Sequence, residues 1–166
     1  MKPEELRSLQ APIKQKYKDD PGAALVTLRS RGQLGEGLTC KVETARAVVD
    51  AGHHPATGGT GLEVCSGEML LDALVACAGV TMRSVATALG IQLRRGDVTA
   101  EGDLDFRGTL GVAKDVPVGF REIRLRFDIE SDATPEQREK LRALTERYCV
   151  VYQTLCGATP MNLSFA

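Results

Sequence analysis

Five cysteines, at positions 40, 65, 77, 149 and 156, are the residues of this 166-residue chain with the most chemistry in them. Five thiols cannot all pair within one chain, and a thiol attacks only as its thiolate. Free cysteine is also among the most buried residue types, so packing is the default for each. No Cys-x2-Cys pair exists, which removes the usual zinc spacing. His53 and His54 stand in a Gly-rich loop and, with Cys40 or Cys65, would make a metal set. Adjacent loop histidines read more simply as exposed residues, so neither a metal nor a cofactor is expected. Gly58, Gly59 and Gly61 precede a helix but lack the Lys-Ser/Thr of a phosphate-binding loop. Cys65 stands just ahead of that helix, where the dipole favours a thiolate, and reads as a packed loop residue.

The remaining thiols depend on the helices that carry them. Ser66 is a good N-cap and Glu68 suits the first turn. The run MLLDALVACAGVTMRSVATALG is apolar nearly all round, which predicts a buried central helix of roughly six turns, stopped by Gly90. Cys77 is in its middle. Thr134, Pro135, Glu136 and Gln137 form a capping box with Pro at the first helical position. Leu141, Leu144, Tyr148, Val151 and Leu155 follow at helical spacing, with Cys149 among them. Cys149 and Cys156 on one continuous helix would be about 10 Å apart, too far to bridge. Both helices are expected to be central, so if a redox pair exists the candidate is Cys77 with Cys149, while Cys40, Cys65 and Cys156 default to packing. Cys77 is beyond the first turn, so its thiolate needs a cation from elsewhere. Arg83, six residues on, faces away.

The rest of the pattern is α+β with antiparallel sheet. A helix over residues 4–17 carries Leu6, Leu9, Ile13 and Tyr17, broken or kinked at Pro12. Asp20, Pro21 and Gly22 mark a turn. Strands are expected over residues 24–31 and from Leu38 onward, where Leu38, Cys40 and Val42 alternate. The second half of 38–49 reads as either strand or helix. Residues 52–61 form a loop. Strands over 98–106 and 122–130 enclose a loop at 108–119. Met161, Leu163 and Phe165 suggest a final strand. Apolar residues make up 43% and charged residues 26%, and the net charge is −1. This suits a single domain and excludes a basic nucleic-acid footprint. Aromatics at 4%, with no Trp, argue against base-stacking platforms. No unbroken apolar run reaches the roughly 18–20 residues of a membrane span. The charged N-terminus lacks a signal-peptide core, so the reducing cytoplasm is the expected compartment. An all-round apolar helix with short strands points to further burial in an oligomer.

The segment SGEMLLDALVACAGVT resembles the cysteine helix of the OsmC/Ohr family, where an acidic residue and Leu-Leu precede Ala-rich turns ending in Ala-Cys. YCVVYQTL resembles its second motif, Cys-Pro-Val followed by a polar stretch and Leu. VTAEGDLDF and GFREIRLRFDIES match its middle hairpin. The resemblance covers roughly residues 24–166, leaving residues 1–22 as a helical extension of a single OsmC-like domain over 1–166. It implies an OsmC-like fold, antiparallel sheets packed on central helices in an intertwined homodimer with sites at the interface. The implied activity is thiol-dependent reduction of organic hydroperoxides or hydrogen peroxide in oxidative-stress defence. Cys77 would attack, Cys149 would resolve, and an external dithiol would reduce the disulfide. Neither nucleic acid nor membrane is an implied partner. The family's activating arginine near the first hairpin matches Arg31, with Arg29 as runner-up. Two departures stand out. The family's arginine-holding Glu, ten residues before the attacking Cys, is here Gly67. Glu68, the nearest carboxylate, is about 180° round the helix from Cys77 and reads more simply as a first-turn charge. Val150 replaces the Pro. The alternative reading is a non-catalytic stress or ligand-binding dimer of this fold with inert buried cysteines.

Overall fold

A computed structural model describes residues 2–25, 27, 31–34, 39–43 and 48–165, without the side chains of residues 21, 31–34 and 39–43. The N-terminal helix α1, Pro3–Asp19, runs unbroken through Pro12 and buries no residue. A break or kink was expected there; the helix continues through Pro12, with Leu9 and Ile13 exposed on either side. Pro21–Ala24 is a short 3-10 turn. Asp20 caps that turn by accepting the Gly22 N–H; of the strand expected over 24–31, Ala24 belongs to the turn, residues 25 and 27 are irregular, and Arg31 opens a strand. Residues 26 and 28–30 lie outside the described residues, Arg29 among them.

The strands β1 (Arg31–Leu34), β2 (Thr39–Glu43), β3 (Val48–Gly52) and β4 (Val64–Cys65) form one sheet in that order. The first two pairings are antiparallel, Arg31 opposite Glu43 and Thr39 opposite Gly52. The pairing β3–β4 is parallel. The open choice over 38–49 thus resolves as strand at Val48 and Val49, where β-branched residues suit a pleated surface. Helix α2, Ser66–Leu89, matches its sequence pattern. Gly90 at φ 71° ends it, its N–H bonding Thr87 C=O while the Ile91 N–H bonds Ala86 C=O. That double bond is a Schellman stop, and the positive φ is why glycine stands there.

Strands β5 (Leu93–Asp103) and β6 (Glu122–Ser131) form a two-stranded sheet. Arg94 meets Glu130 at one end and the Arg121 N–H meets Asp103 C=O at the other, so the strands run antiparallel. On β6 the alternation is complete: Ile123, Leu125, Phe127 and Ile129 are half-buried and their charged neighbours exposed. A single-turn helix α3, Phe106–Thr109, occurs inside the segment expected to be strand and loop, capped by Asp105. Helix α4, Pro135–Tyr148, begins with the expected reciprocal capping box. Helix α5 is Val150–Cys156. The expected final strand is absent: residues 157–165 are irregular, and Met161, Leu163 and Phe165 are about nine-tenths exposed. Alternation alone makes no strand without a neighbour to complete its hydrogen bonds.

The chain packs as two compact units that interleave in sequence. The first holds residues 1–15, 73–99 and 126–166; the second holds 16–72 and 100–125. In the first, Met82, Val85, Ala86, Ile91, Ala133 and Leu141 form the core, with Phe127, Ile129 and Leu144 packed against it. Leu74 and Leu141 are each 1% exposed. Burial of a leucine of this kind contributes about 1.5–3 kcal/mol. By length and composition α2 also suffices to cross a membrane, yet only 28% of its apolar stretch is buried within this chain. A count of unbroken apolar residues misses this, because Gly79, Thr81 and Ser84 interrupt the run without adding charge.

Candidate active site

Cys77 and Cys149 meet inside the first unit. Cys77 is on the fourth turn of α2 and half-buried; Cys149 is 1% exposed. The chain does not pass Cys149 as one continuous helix. Cys149 takes an extended conformation, φ −74° and ψ 107°, closing α4 and opening α5. The break needs no proline: Val150 starts α5 directly, and the Cys149 N–H still bonds Thr145 C=O at 3.0 Å. This break carries the first N–H groups of α5 to Cys77. A helix leaves those N–H groups without partners of its own, and Val150 and Val151 direct theirs at the Cys77 sulfur.

Opposed effects set the two thiols. Burial pushes the Cys77 thiol up, but four donors outweigh it: the Val151 N–H, the Cys149 S–H, the Val150 N–H and the Thr81 hydroxyl. The Cys77 thiol is therefore held below its ordinary value. Burial raises Cys149, and the hydrogen bond and charge of Cys77 raise it further, against the N–H groups of Tyr152 and Val151. The surroundings shift Cys77 toward its thiolate and Cys149 away from it. Two like groups whose surroundings drive them apart mark a division of chemical roles.

The other expected site residues belong to the second unit. Arg31 opens β1, with its side chain outside the described residues. Glu68 is exposed on the first turn of α2 and lines a cavity of that unit. Arg83 donates to the Leu93 C=O at 3.3 Å, away from the thiols. Cys156 is exposed rather than packed, at the end of α5, where its thiol takes the Tyr152 hydroxyl. Cys65 is half-buried, and Cys40 is on β2 with its side chain outside the described residues. Among the described residues no group of three metal-ligating side chains gathers.

The description of the OsmC-like protein family matches residues 59–164, well over half of the chain. The chain belongs to the OsmC-like family. Solved structures agree at the level of the fold. An OsmC-like protein from Mycoplasma pneumoniae superposes with TM-score 0.67 at 20% identity, over 80% of this chain and 89% of its own. An organic hydroperoxide resistance protein OsmC from Legionella pneumophila gives TM-score 0.62 at 20% identity, over 80% and 91%. An organic hydroperoxide resistance protein from Elizabethkingia anophelis gives 0.64 at 16% identity, over 81% and 91%. No curated protein matches in sequence. The mixed α and β architecture of this OsmC-like chain is that of its structural neighbours.

Sequence reasoning did not find Thr81, Val150 or Val151. Thr81 had a signal: it is four residues after Cys77, hence on the same helix face. The two valines had none, because their N–H groups act only through a tertiary approach of two helices. The same reasoning asked for a cation because Cys77 is far from the start of its own helix. The structure supplies the start of another.

Proposed function

We propose that this OsmC-like protein is a thiol-dependent peroxidase acting on organic hydroperoxides or hydrogen peroxide. The observation that carries the reading is the hydrogen bond from the Cys149 thiol to a Cys77 sulfur whose pKa is lowered. The Cys77 thiolate attacks the outer peroxide oxygen: an S–O bond forms and the O–O bond breaks. The alkoxide takes a proton and leaves as the alcohol, or as water from hydrogen peroxide. Cys77 is then a sulfenic acid. The Cys149 sulfur attacks the Cys77 sulfur, the S–S bond forms, and the sulfenic oxygen leaves as water. An external dithiol, oxidised in turn, reduces the disulfide by exchange. The half-buried Cys77 meets the peroxide first, and the buried Cys149 is shielded until the sulfenic acid calls on it.

The protein acts as a cytoplasmic homodimer. Support for the dimer is the apolar surface left open on α2, including Val80 at 71% exposure; sedimentation at micromolar concentration tests it. The activity is tested by peroxide consumption under a dithiol reductant, with mass spectrometry of the oxidised protein. A Cys77–Cys149 disulfide formed at stoichiometric peroxide, and lost in Cys77→Ser, supports the reading. Thiols that stay reduced, with no peroxide consumed, favour the non-catalytic dimer instead. Arg31→Ala in the same assay tests the guanidinium that the family pattern assigns to the thiolate.

A further inference from the structure

Helix α1, Pro3–Asp19, buries none of its residues. Pro12 inside it has no N–H to give the Ser8 C=O, which weakens the helix further. A helix of this length draws most of its stability from packing an apolar face against something else. Such a face exists. At about 100° per residue, Leu6, Leu9, Ile13 and Tyr17 fall within a stripe roughly 80° wide. Leu9, Ile13 and Tyr17 are 59%, 48% and 39% exposed. The helix lies outside residues 59–164, the part of the chain that matches the OsmC-like description.

The charges beside the stripe say what covers it. Glu5 and Lys16 are exposed and stand on one flank of it, roughly 20° apart round the helix. Glu5 Oε2 takes the Lys2 N–H at 2.8 Å, which holds the carboxylate at the helix start. Glu4 and Arg7 pair with each other at 3.3 Å on the far face, and Lys14 is on the opposite flank. When two copies of α1 lie antiparallel about a two-fold axis, like flanks meet. With Leu9 of one copy level with Ile13 of the other, Leu6 comes level with Tyr17 and Glu5 with Lys16, each to within about one residue. Symmetry makes two opposite-charge pairs of this one. A parallel pair would set the flank against the opposite one and bring Lys16 to Lys14, like against like.

We propose that α1 is a docking surface for α1 of a second copy of this chain. The two helices pack antiparallel through Leu6, Leu9, Ile13 and Tyr17, with Glu5 of each copy against Lys16 of the other. An exposed ion pair adds little affinity. Its part is to select the orientation, while the apolar stripe supplies the attraction. The inference depends neither on the thiol pair nor on the way α2 associates.

Zero-length carbodiimide cross-linking of the full chain at micromolar concentration, read by peptide mass spectrometry, tests it. Within one helix Glu5 and Lys16 are about 16 Å apart, so a bond between them joins two copies. The Glu5–Lys16 cross-link is expected to dominate over links from Glu5 to Lys14 or Lys18. Exchanging the charges, Glu5→Lys together with Lys16→Glu, is expected to keep the link between positions 5 and 16. Ile13 is exposed, so Ile13→Gln will fold, and it is expected to lower the yield roughly ten-fold by removing apolar surface from the seam. Four results overturn the proposal: no Glu5–Lys16 link, equal yields to Lys14 or Lys18, loss of the link in the exchanged variant, or an undiminished yield in Ile13→Gln. A dimer in sedimentation without this link removes the α1 contact and leaves association through α2 standing.

Discussion

The thiol pair of the first unit and the cavity of the second use opposite electrostatic means. Around Cys77 the described stabilising groups are dipoles: two backbone N–H groups, a hydroxyl and a thiol. In the second unit they are formal charges in pairs, Arg124 with Asp103, which lines the cavity, and Arg107 with Asp105 next along the chain. Dipoles suit a partly buried group, because they are already oriented and carry no net charge to desolvate. Ion pairs suit a rim in water, where each contributes little to stability but fixes the position of a side chain. The same contrast runs through the packing. The first unit has a continuous buried core, whereas among the described residues the second contributes only Ala51 to the buried hydrophobic side chains.

Several changes would break or sharpen that contrast. The largest effect is on turnover: Cys77→Ser is expected to bring peroxide consumption down to the uncatalysed rate, read by loss of peroxide under dithiol. Cys149→Ser is expected to leave the first oxidation intact and trap the sulfenic acid, detected by a dimedone adduct. Persistent turnover in Cys77→Ser would remove the first unit from the chemistry.

The next effect is on stability. Leu141→Ala, a truncation at a side chain 1% exposed, is expected to cost about 2–5 kcal/mol in chemical denaturation. Val112→Ala in the second unit is expected to leave the denaturation midpoint in place. Equal losses would mean that the core is shared more evenly than burial indicates.

A smaller effect separates dipoles from charges. Val150→Pro deletes one N–H donor to Cys77 at a helix position that tolerates proline, and Thr81→Val deletes the hydroxyl. Each destabilises the thiolate, so the Cys77 pKa rises and less thiolate is present at neutral pH. Alkylation at pH 7 is expected to slow roughly three- to ten-fold, with a rate–pH profile displaced to higher pH.

The smallest concerns acid. Arg107, by side-chain hydrogen bonding, holds the Asp105 carboxyl at about 2, against burial that raises it. Because the folded value is depressed, this contribution is complete above the ordinary carboxylate value and is lost as pH falls from there toward about 2. In Arg107→Ala the largest part of the contribution is lost at neutral pH, the backbone N–H and Arg121 keeping the rest, so the stability–pH curve over that acid range flattens. An unchanged acid limb would show that the pair is only ornamental to stability.

Legibility in the sequence followed the range of the interactions. The period-two alternation of β6, the Thr134 capping box and the Gly90 stop are local patterns, and each was readable within a few residues. The strand expected at 161–165 went wrong because strands depend on partners that no short window contains. At the candidate site, Cys77 and Cys149 were readable from their helices together with the family resemblance. The break at Cys149 was not, because a valine stands where a proline would have announced it.

By itself the sequence determined which residues carry chemistry, which faces of α2 and β6 are apolar, where α2 starts and stops and where α4 starts. Side-chain volume, periodicity and capping are properties of neighbours along the chain, so they need no third dimension. Only the tertiary structure decided that the N–H groups opening α5 point at Cys77, and that the Cys149 thiol beside it is pushed the opposite way. Acidity is set by what lies within hydrogen-bonding reach, and for these two thiols the reach closes a separation of about seventy residues along the chain.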